Sequence, residues 1–167
     1  MSGVSVRAMR RKDVGAVVAM MLALIQHIRA HGEPAPGRIT RAKILKNGFG
    51  RDRWFAVLVA SVDGAPVGYA LHHRGYEVDD ATRVLYLSDL YVKPEARRLG
   101  VARALMAAVA GECRRVGAEE VLWRVHSGNL GARAFYRKIG GREWCLGFTM
   151  WWPKEAVRRA ATSRIRA

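Results

Sequence analysis

The stretch VLYLSDLYVKPEARRLGVARALM, residues 84–106, decides the fold. From Val84 to Val92 it is apolar and aromatic, broken only by Ser88 and Asp89, and reads as a buried strand. Pro94 has no N–H to give to a ladder and marks the strand's end. Arg97-Arg98-Leu99-Gly100-Val101-Ala102 leads into helical spacing, with Val101, Leu105, Val109, Cys113 and Val116 on one face and Gly117 as the stop. A turn that opens a helix presents backbone N–H groups without internal partners, and the helix dipole adds partial positive charge there. Small residues such as Gly100 and Ala102 let a phosphate approach the backbone, so the turn is a candidate anion site. An ordinary strand–turn–helix with a surface arginine pair has the same local sequence.

Working outward, Glu120 to Val125 reads as the next strand, and the strand–helix–strand unit over 84–125 predicts a right-handed parallel crossover. His126 to Asn129 is a loop, Leu130 to Lys138 a short helix stopped by Gly140-Gly141, and Arg142 to Trp152 is mostly β-like. Upstream, Trp54 to Val62 and Pro66 to Leu71 flank Asp63-Gly64 and predict a hairpin, with Arg74 to Thr82 a polar connection. Val4 to Arg7 is a first strand. Lys12 to Ala30 carries Val14, Val17, Val18, Met21, Leu22, Ile25 and Ile28 at helical spacing. His31 to Gly37 breaks that helix, and Ile39 to Lys46 supports another, with Thr40 as its cap. The order β-αα-ββ-β-α-β-α-β predicts an α/β (α+β mixed) fold, a mixed sheet with helices on its faces. We expect one domain over 1–153 and a basic tail or helix over 154–167.

A length of 167 residues suits one domain with a substantial core. Half the residues are hydrophobic, the mean hydropathy is -0.07, and no apolar run reads as long enough to span a bilayer. The N-terminus shows no secretory signal, and the two isolated cysteines, Cys113 and Cys145, make neither a disulfide framework nor a zinc site. A cytoplasmic location is expected, with no membrane partner. The net charge of +15 favours polyanionic partners: nucleic acid, an anionic membrane or a phosphate-bearing cofactor. The basic residues are scattered, however, and mostly arginine. They read as compositional bias more than as a nucleic-acid surface.

Two segments carry a resemblance to the GNAT superfamily of N-acetyltransferases. LYLSDLYVKPEARRLGVARAL is similar to the family's acetyl-CoA motif, R-x-x-G-x-G/A after a strand ending near V-x-P. NLGARAFYRKIGG resembles its N-x-x-A-x-x-F-Y-x-x-x-G segment, with Asn129 and Tyr136 at matching positions and the alanine slot shared between Ala132 and Ala134. NGFGRDRWFAVLVAS and LYLSDLYV resemble more closely the diamine (spermidine/spermine) N-acetyltransferase branch, which has a Glu-Asp pair where this chain has Ser88-Asp89. The missing acid weakens carry-over of polyamine specificity. Arg98 stands at a usual glycine and is expected to have φ < 0.

The resemblance implies a GNAT-like, mostly antiparallel sheet with a parallel split pair, flanked by about four helices. It implies acetyl transfer from acetyl-CoA, as co-substrate, to a primary amine of a small molecule, by direct attack in a ternary complex. The cofactor would lie along Leu90, Tyr91 and Val92, with its pyrophosphate at Arg97, Arg98, Leu99, Gly100, Val101, Ala102 and Arg103, and with Asn129 and Ala132 on its arm. Tyr136 would be the general acid, and a buried aromatic role would suit it too. Asp89 is a candidate base or a cation-binding carboxylate. Ser88, Asp89, Trp123 and Arg124 would meet the acceptor amine. His72 and His73 are read as ending a strand, with at most one facing the cleft. No metal is implied. A homodimer is expected, through C-terminal strands that include Trp151-Trp152. Acetylation of a protein or peptide amine is the alternative reaction. A basic nucleic-acid-binding or interaction module on the same scaffold is the alternative outside enzymes.

Overall fold

A computed structural model describes residues 3–30, 32, 35 and 37–143. The expected strand and dimer surface beyond 143, and the basic 154–167 segment, lie outside these. The chain divides into two compact units, residues 1–129 and 130–167.

The first unit holds a five-stranded sheet of β1 (Val4–Ala8), β2 (Ala56–Val62), β3 (Ala65–Glu77), β4 (Thr82–Val92) and β5 (Glu120–Trp123), ordered as in the sequence. The first four strands pair antiparallel, and β4 and β5 run parallel. The helices are α1 (Val14–Ala30), α2 (Arg41–Gly48) and α3 (Val101–Arg115). Asp63 and Gly64, with φ of 49° and 80°, make the two-residue turn between β2 and β3. Both central positions are left-handed, which matches the twist of the strands they join.

Two apolar layers sandwich the sheet. Val14, Val17, Met20 and Met21 of α1 and Ile44 of α2 meet Val57, Val59, Tyr69 and Tyr91 on one face. On the other, Val101, Leu105, Val109 and Cys113 of α3 meet Leu58, Ala60, Ala70, Leu85 and Leu87. Full burial of such a side chain stabilises the fold by roughly 1.5–3 kcal/mol. Thr40 caps α2 as expected, its hydroxyl accepting from the Lys43 N–H at 3.3 Å. Before α1, the Asp13 carboxylate accepts from the Arg10 N–H at 2.7 Å and takes a forked bond from Arg7 at 2.6 and 2.9 Å.

Three expectations need correction. No apolar run was expected to be long enough to span a bilayer, yet by length and hydropathy Arg11–Ala30 would pass for a membrane span. Its buried residues pack into the core instead, and Leu22, expected inside, is exposed while Met20 is buried. Residues 74–77 are strand rather than connection, because Gly75 and Tyr76 pair with Val84 and Arg83. His72 and His73 therefore lie within β3 and do not end it; His73 stacks on Tyr86 at 5.2 Å between ring centroids.

Candidate active site

The site in the first unit is made by a parting of strands. β5 follows β4 only from Val84 to Leu87, paired with Glu120 to Trp123. At that point β4 carries a bulge. Leu87 faces His72 and Asp89 faces Leu71, so Ser88 is an extra residue with no counterpart on β3. An inserted residue exchanges the faces of everything after it and bends the strand. The core records this exchange: Leu85 and Leu87 pack against α3 before the bulge, and Leu90 and Val92 do so after it. Beyond the bulge, Asp89 to Val92 pair with β3 alone among the described residues. One edge of backbone N–H and C=O groups is thereby left open, as an extended amide-rich ligand requires.

The open edge runs directly into the turn. Pro94–Ala96 forms one 3₁₀ turn, and the Arg97 side chain folds back to donate its Nε–H to the Val92 carbonyl at 3.3 Å. Arg98 has φ of 65° and Gly100 of 81°. The expectation of negative φ at Arg98 is therefore wrong. The chain must reverse twice within three residues to aim α3, and each reversal uses a left-handed residue whatever its side chain. Gly100 is the N-cap of α3, with no side-chain cap. Its carbonyl takes the Ala104 N–H, and the preceding N–H groups of Val101, Ala102 and Arg103 face an uncapped helix start. A Cβ at Gly100 would meet nothing within 4 Å, so its backbone angle, not crowding by the protein, demands glycine. Leu99 is exposed, as are Arg97, Arg98 and Arg103.

Asp89 lies on the face opposite α3. It accepts a long hydrogen bond, 3.3 Å, from the hydroxyl of the fully buried Tyr69. Burial raises its pKa above the ordinary carboxylate value, and the Tyr69 bond pulls the other way. Tyr69 was not singled out in the sequence. Its signal was available, since β3 is the strand that must lie opposite β4. Ser88 is exposed at the bulge, and Trp123 stands opposite Leu87 just before the parting, with Arg124 next along the chain. His126 closes the following turn, its Nδ1 accepting from the Gly128 N–H at 3.2 Å, and the Asn129 N–H donates to the His126 carbonyl at 3.0 Å.

In the second unit, α4 (Leu130–Lys138) carries Ala132 and Tyr136. Gly140, with φ of 95°, ends it. The Gly140 N–H reaches the Arg137 carbonyl and the Gly141 N–H the Tyr136 carbonyl, a paired C-terminal lock. Arg133 and Arg137, one turn apart, both clasp Glu143. Tyr136 is half-buried, with its ring 5.4 Å from that of Phe135. Burial pushes its phenol up to about 12. Tyr136 therefore stays protonated through neutral pH.

Comparison with known proteins agrees with this geometry. The model of the Acetyltransferase (GNAT) family matches residues 22–141. The thialysine N-epsilon-acetyltransferase of Sus scrofa is 28% identical over 86% of each chain. The L-ornithine N5-acetyltransferase of Arabidopsis thaliana is 30% identical over 50% of this chain and 38% of its own. Among solved structures, an integron cassette protein of V. cholerae superposes with a TM-score of 0.75 at 20% identity, covering 98% of this chain and 99% of its own. An aminoglycoside N-acetyltransferase, AAC(6')-Iy, in complex with CoA reaches 0.69 at 22% identity, over 92% and 96%. The parted strands, the uncapped turn and a family match across most of the chain lead to one conclusion: this chain belongs to the GNAT family of acetyltransferases.

Proposed function

We propose that the chain transfers the acetyl group of acetyl-CoA to a primary amine of a small, amino-acid-like or diamine molecule, by direct attack in a ternary complex. The observation that carries this reading is the unbroken run from an open strand edge, Asp89–Val92, to an uncapped helix start at Val101–Arg103. The edge offers backbone pairing to an amide-rich arm, and the turn offers convergent N–H donors to a pyrophosphate. Arg97, Arg98 and Arg103 add charge there, and Asn129 and Ala132 are assigned to the arm of the cofactor. The bound thioester supplies the acetyl group.

The chain's own residues then have two tasks. An alkyl ammonium has a pKa near about 10, so the attacking amine must lose a proton. Asp89, raised by burial, is assigned to accept it, directly or through water. Tyr136, held protonated by burial, is assigned to return a proton to the departing sulfur. A backbone N–H of the open edge meets the negative charge that develops on the carbonyl oxygen. Such a donor is typically worth about 2.7–4 kcal/mol.

Ser88 puts no carboxylate at the bulge, and Arg124 brings positive charge to the end of β5. Both disfavour a polycation and favour an amine that also carries a carboxylate. The names of the relatives that act on thialysine and ornithine support the same choice. The proposal includes a cytoplasmic location and a homodimer. The test is release of CoA thiol with a panel comprising lysine, thialysine, ornithine, spermidine and a lysine-containing peptide. Turnover of the amino acids above the others is expected. Preference for the peptide moves the acceptor to proteins, and no turnover with any amine removes the proposal.

A further inference from the structure

A second concave site lies in the first unit, at the other end of α3. A cavity of about 630 Å³ opens between the loop entering β2, the middle of β3 and the last turn of α3. Its wall carries Arg51, Arg53, Arg74 and Arg115 against one carboxylate, Asp52. Arg115 is already engaged, at 2.6 Å, with Glu112. Among the described residues, Arg51, Arg53 and Arg74 have no hydrogen-bonded carboxylate. His72, 4% exposed, lines the same space, and its Nε2 has no hydrogen-bond partner among the described residues. At the rim stands Trp54, 79% exposed, on a loop pinned by its own N–H to the Asn47 carbonyl at 2.8 Å.

The exposed guanidinium groups of Arg51, Arg53 and Arg74 give the hollow a positive wall, offset in part by Asp52 and by Glu112, whose charge acts on Arg53 and His72. An anion with several acceptor oxygens suits that wall, because guanidinium forks match phosphate geometry. The end of α3 directs carbonyls, not amides, toward this region, so side chains must do the binding. The exposed indole adds a flat face of the kind on which heteroaromatic rings stack. The volume falls within the range of sites for single small molecules. The chain's own 154–167 segment is an unsuitable occupant, since it carries Lys154, Arg158, Arg159, Arg164 and Arg166 against Glu155 alone.

We propose that this cavity binds a nucleoside phosphate, its phosphates held by Arg51, Arg53 and Arg74 beside His72, and its ring stacked on Trp54. The site is separate from the turn before α3, because the helix between them has 15 residues and spans roughly 22 Å at the usual rise. It goes beyond acetyl transfer and does not depend on that reading.

Calorimetry on the full chain, with CoA left out because its 3'-phospho-ADP group is itself a nucleoside phosphate, tests it with pyrophosphate, AMP and ATP as probes. ATP is expected to bind more tightly than pyrophosphate. Arg53→Gln with Arg74→Gln should weaken both about tenfold or more, with an unchanged Tm as the check on folding. Trp54→Ala, at an exposed position that should not disturb folding, should weaken ATP about fivefold or more and leave pyrophosphate unchanged. Failure of all three probes to bind overturns the site. So does binding indifferent to the arginine substitutions. ATP no tighter than pyrophosphate and indifferent to Trp54→Ala overturns the nucleoside assignment.

Discussion

Arg98 holds a backbone conformation that glycine would hold at no cost, and replacing it separates the needs of folding from those of the site. Its φ of 65° lies in the left-handed region. An L-residue there costs roughly 1–2 kcal/mol. Arg98→Gly removes that strain but gives the unfolded chain more freedom, which offsets about 0.4–1 kcal/mol. The net expectation is a gain of about 0.5–1 kcal/mol, or roughly 2 °C in Tm for a domain of this size. Arg98→Ala keeps the strain and should leave Tm near that of the parent. Both variants lose a guanidinium beside the proposed pyrophosphate position. Discounted for its exposure, that charge is worth about 1 kcal/mol, or fivefold in Kd. Thermal unfolding and acetyl-CoA calorimetry at low and high salt measure both quantities. The signature is a more stable Gly variant and an unmoved Ala variant, both binding acetyl-CoA more weakly, with a deficit that shrinks in salt. If Arg98→Gly binds acetyl-CoA as the parent does, the strained arginine has no cofactor role. If its Tm falls to that of Arg98→Ala or below, the strain argument itself fails.

Three further outcomes follow from the same structure. Tyr136→Phe should lower kcat by about a hundredfold or more while changing acetyl-CoA affinity less than twofold, and unchanged turnover removes the phenol from the acid role. Asp89→Asn should abolish the acidic limb of the kcat/KM profile; in the parent that limb should lie above the ordinary carboxylate range, because burial raises the Asp89 pKa. Asp13→Asn should destabilise the fold by about 2 kcal/mol at neutral pH in urea unfolding. The hydrogen bonds from Arg7, foremost, hold the Asp13 carboxyl at about 2 against an ordinary 3.8. A depressed folded pKa gives stability that is complete above pH 4 and lost as pH falls through 2, so parent and variant should converge in acid.

The fold was legible wherever a local rule and the global arrangement agreed. Asp63-Gly64 can make only a few turns, Thr40 precedes a helix it can cap, and Gly117 ends the spacing that begins at Val101. The sequence was less legible where tertiary pairing outvoted composition. Arg74 to Glu77 look like a polar connection, yet they are strand because Val84 and its neighbours already form the ladder they complete. Arg11–Ala30 fails differently: hydropathy counts apolar residues but not the partners that cover them, and here the sheet covers Val14, Val17, Met20 and Met21. Arg98 shows a third limit. A side chain reveals what a position prefers, whereas the turn dictates what its backbone must do.

At the bulge, fold and site become one problem, and the sequence states it in spacing rather than in residue type. Leu85 and Leu87 require one face of β4, and Leu90 and Val92 require the same face three and five residues past Leu87. No regular strand with a period of two satisfies both pairs. One residue must therefore be inserted between them, and it must tolerate exposure at a break in the ladder. Ser88 meets that requirement. Were Ser88 held in a regular ladder and not in a bulge, Asp89 would turn under α3, away from Tyr69, and would be a buried carboxylate without its partner. The insertion also falls where β5 stops, at the start of the edge that leads to the turn. The exposed serine and the raised aspartate are thus consequences of one register shift. On the proposed function, acceptor chemistry would be adjusted at the exposed residue 88, and proton transfer at residue 89, where a change also reaches the buried Tyr69 hydroxyl.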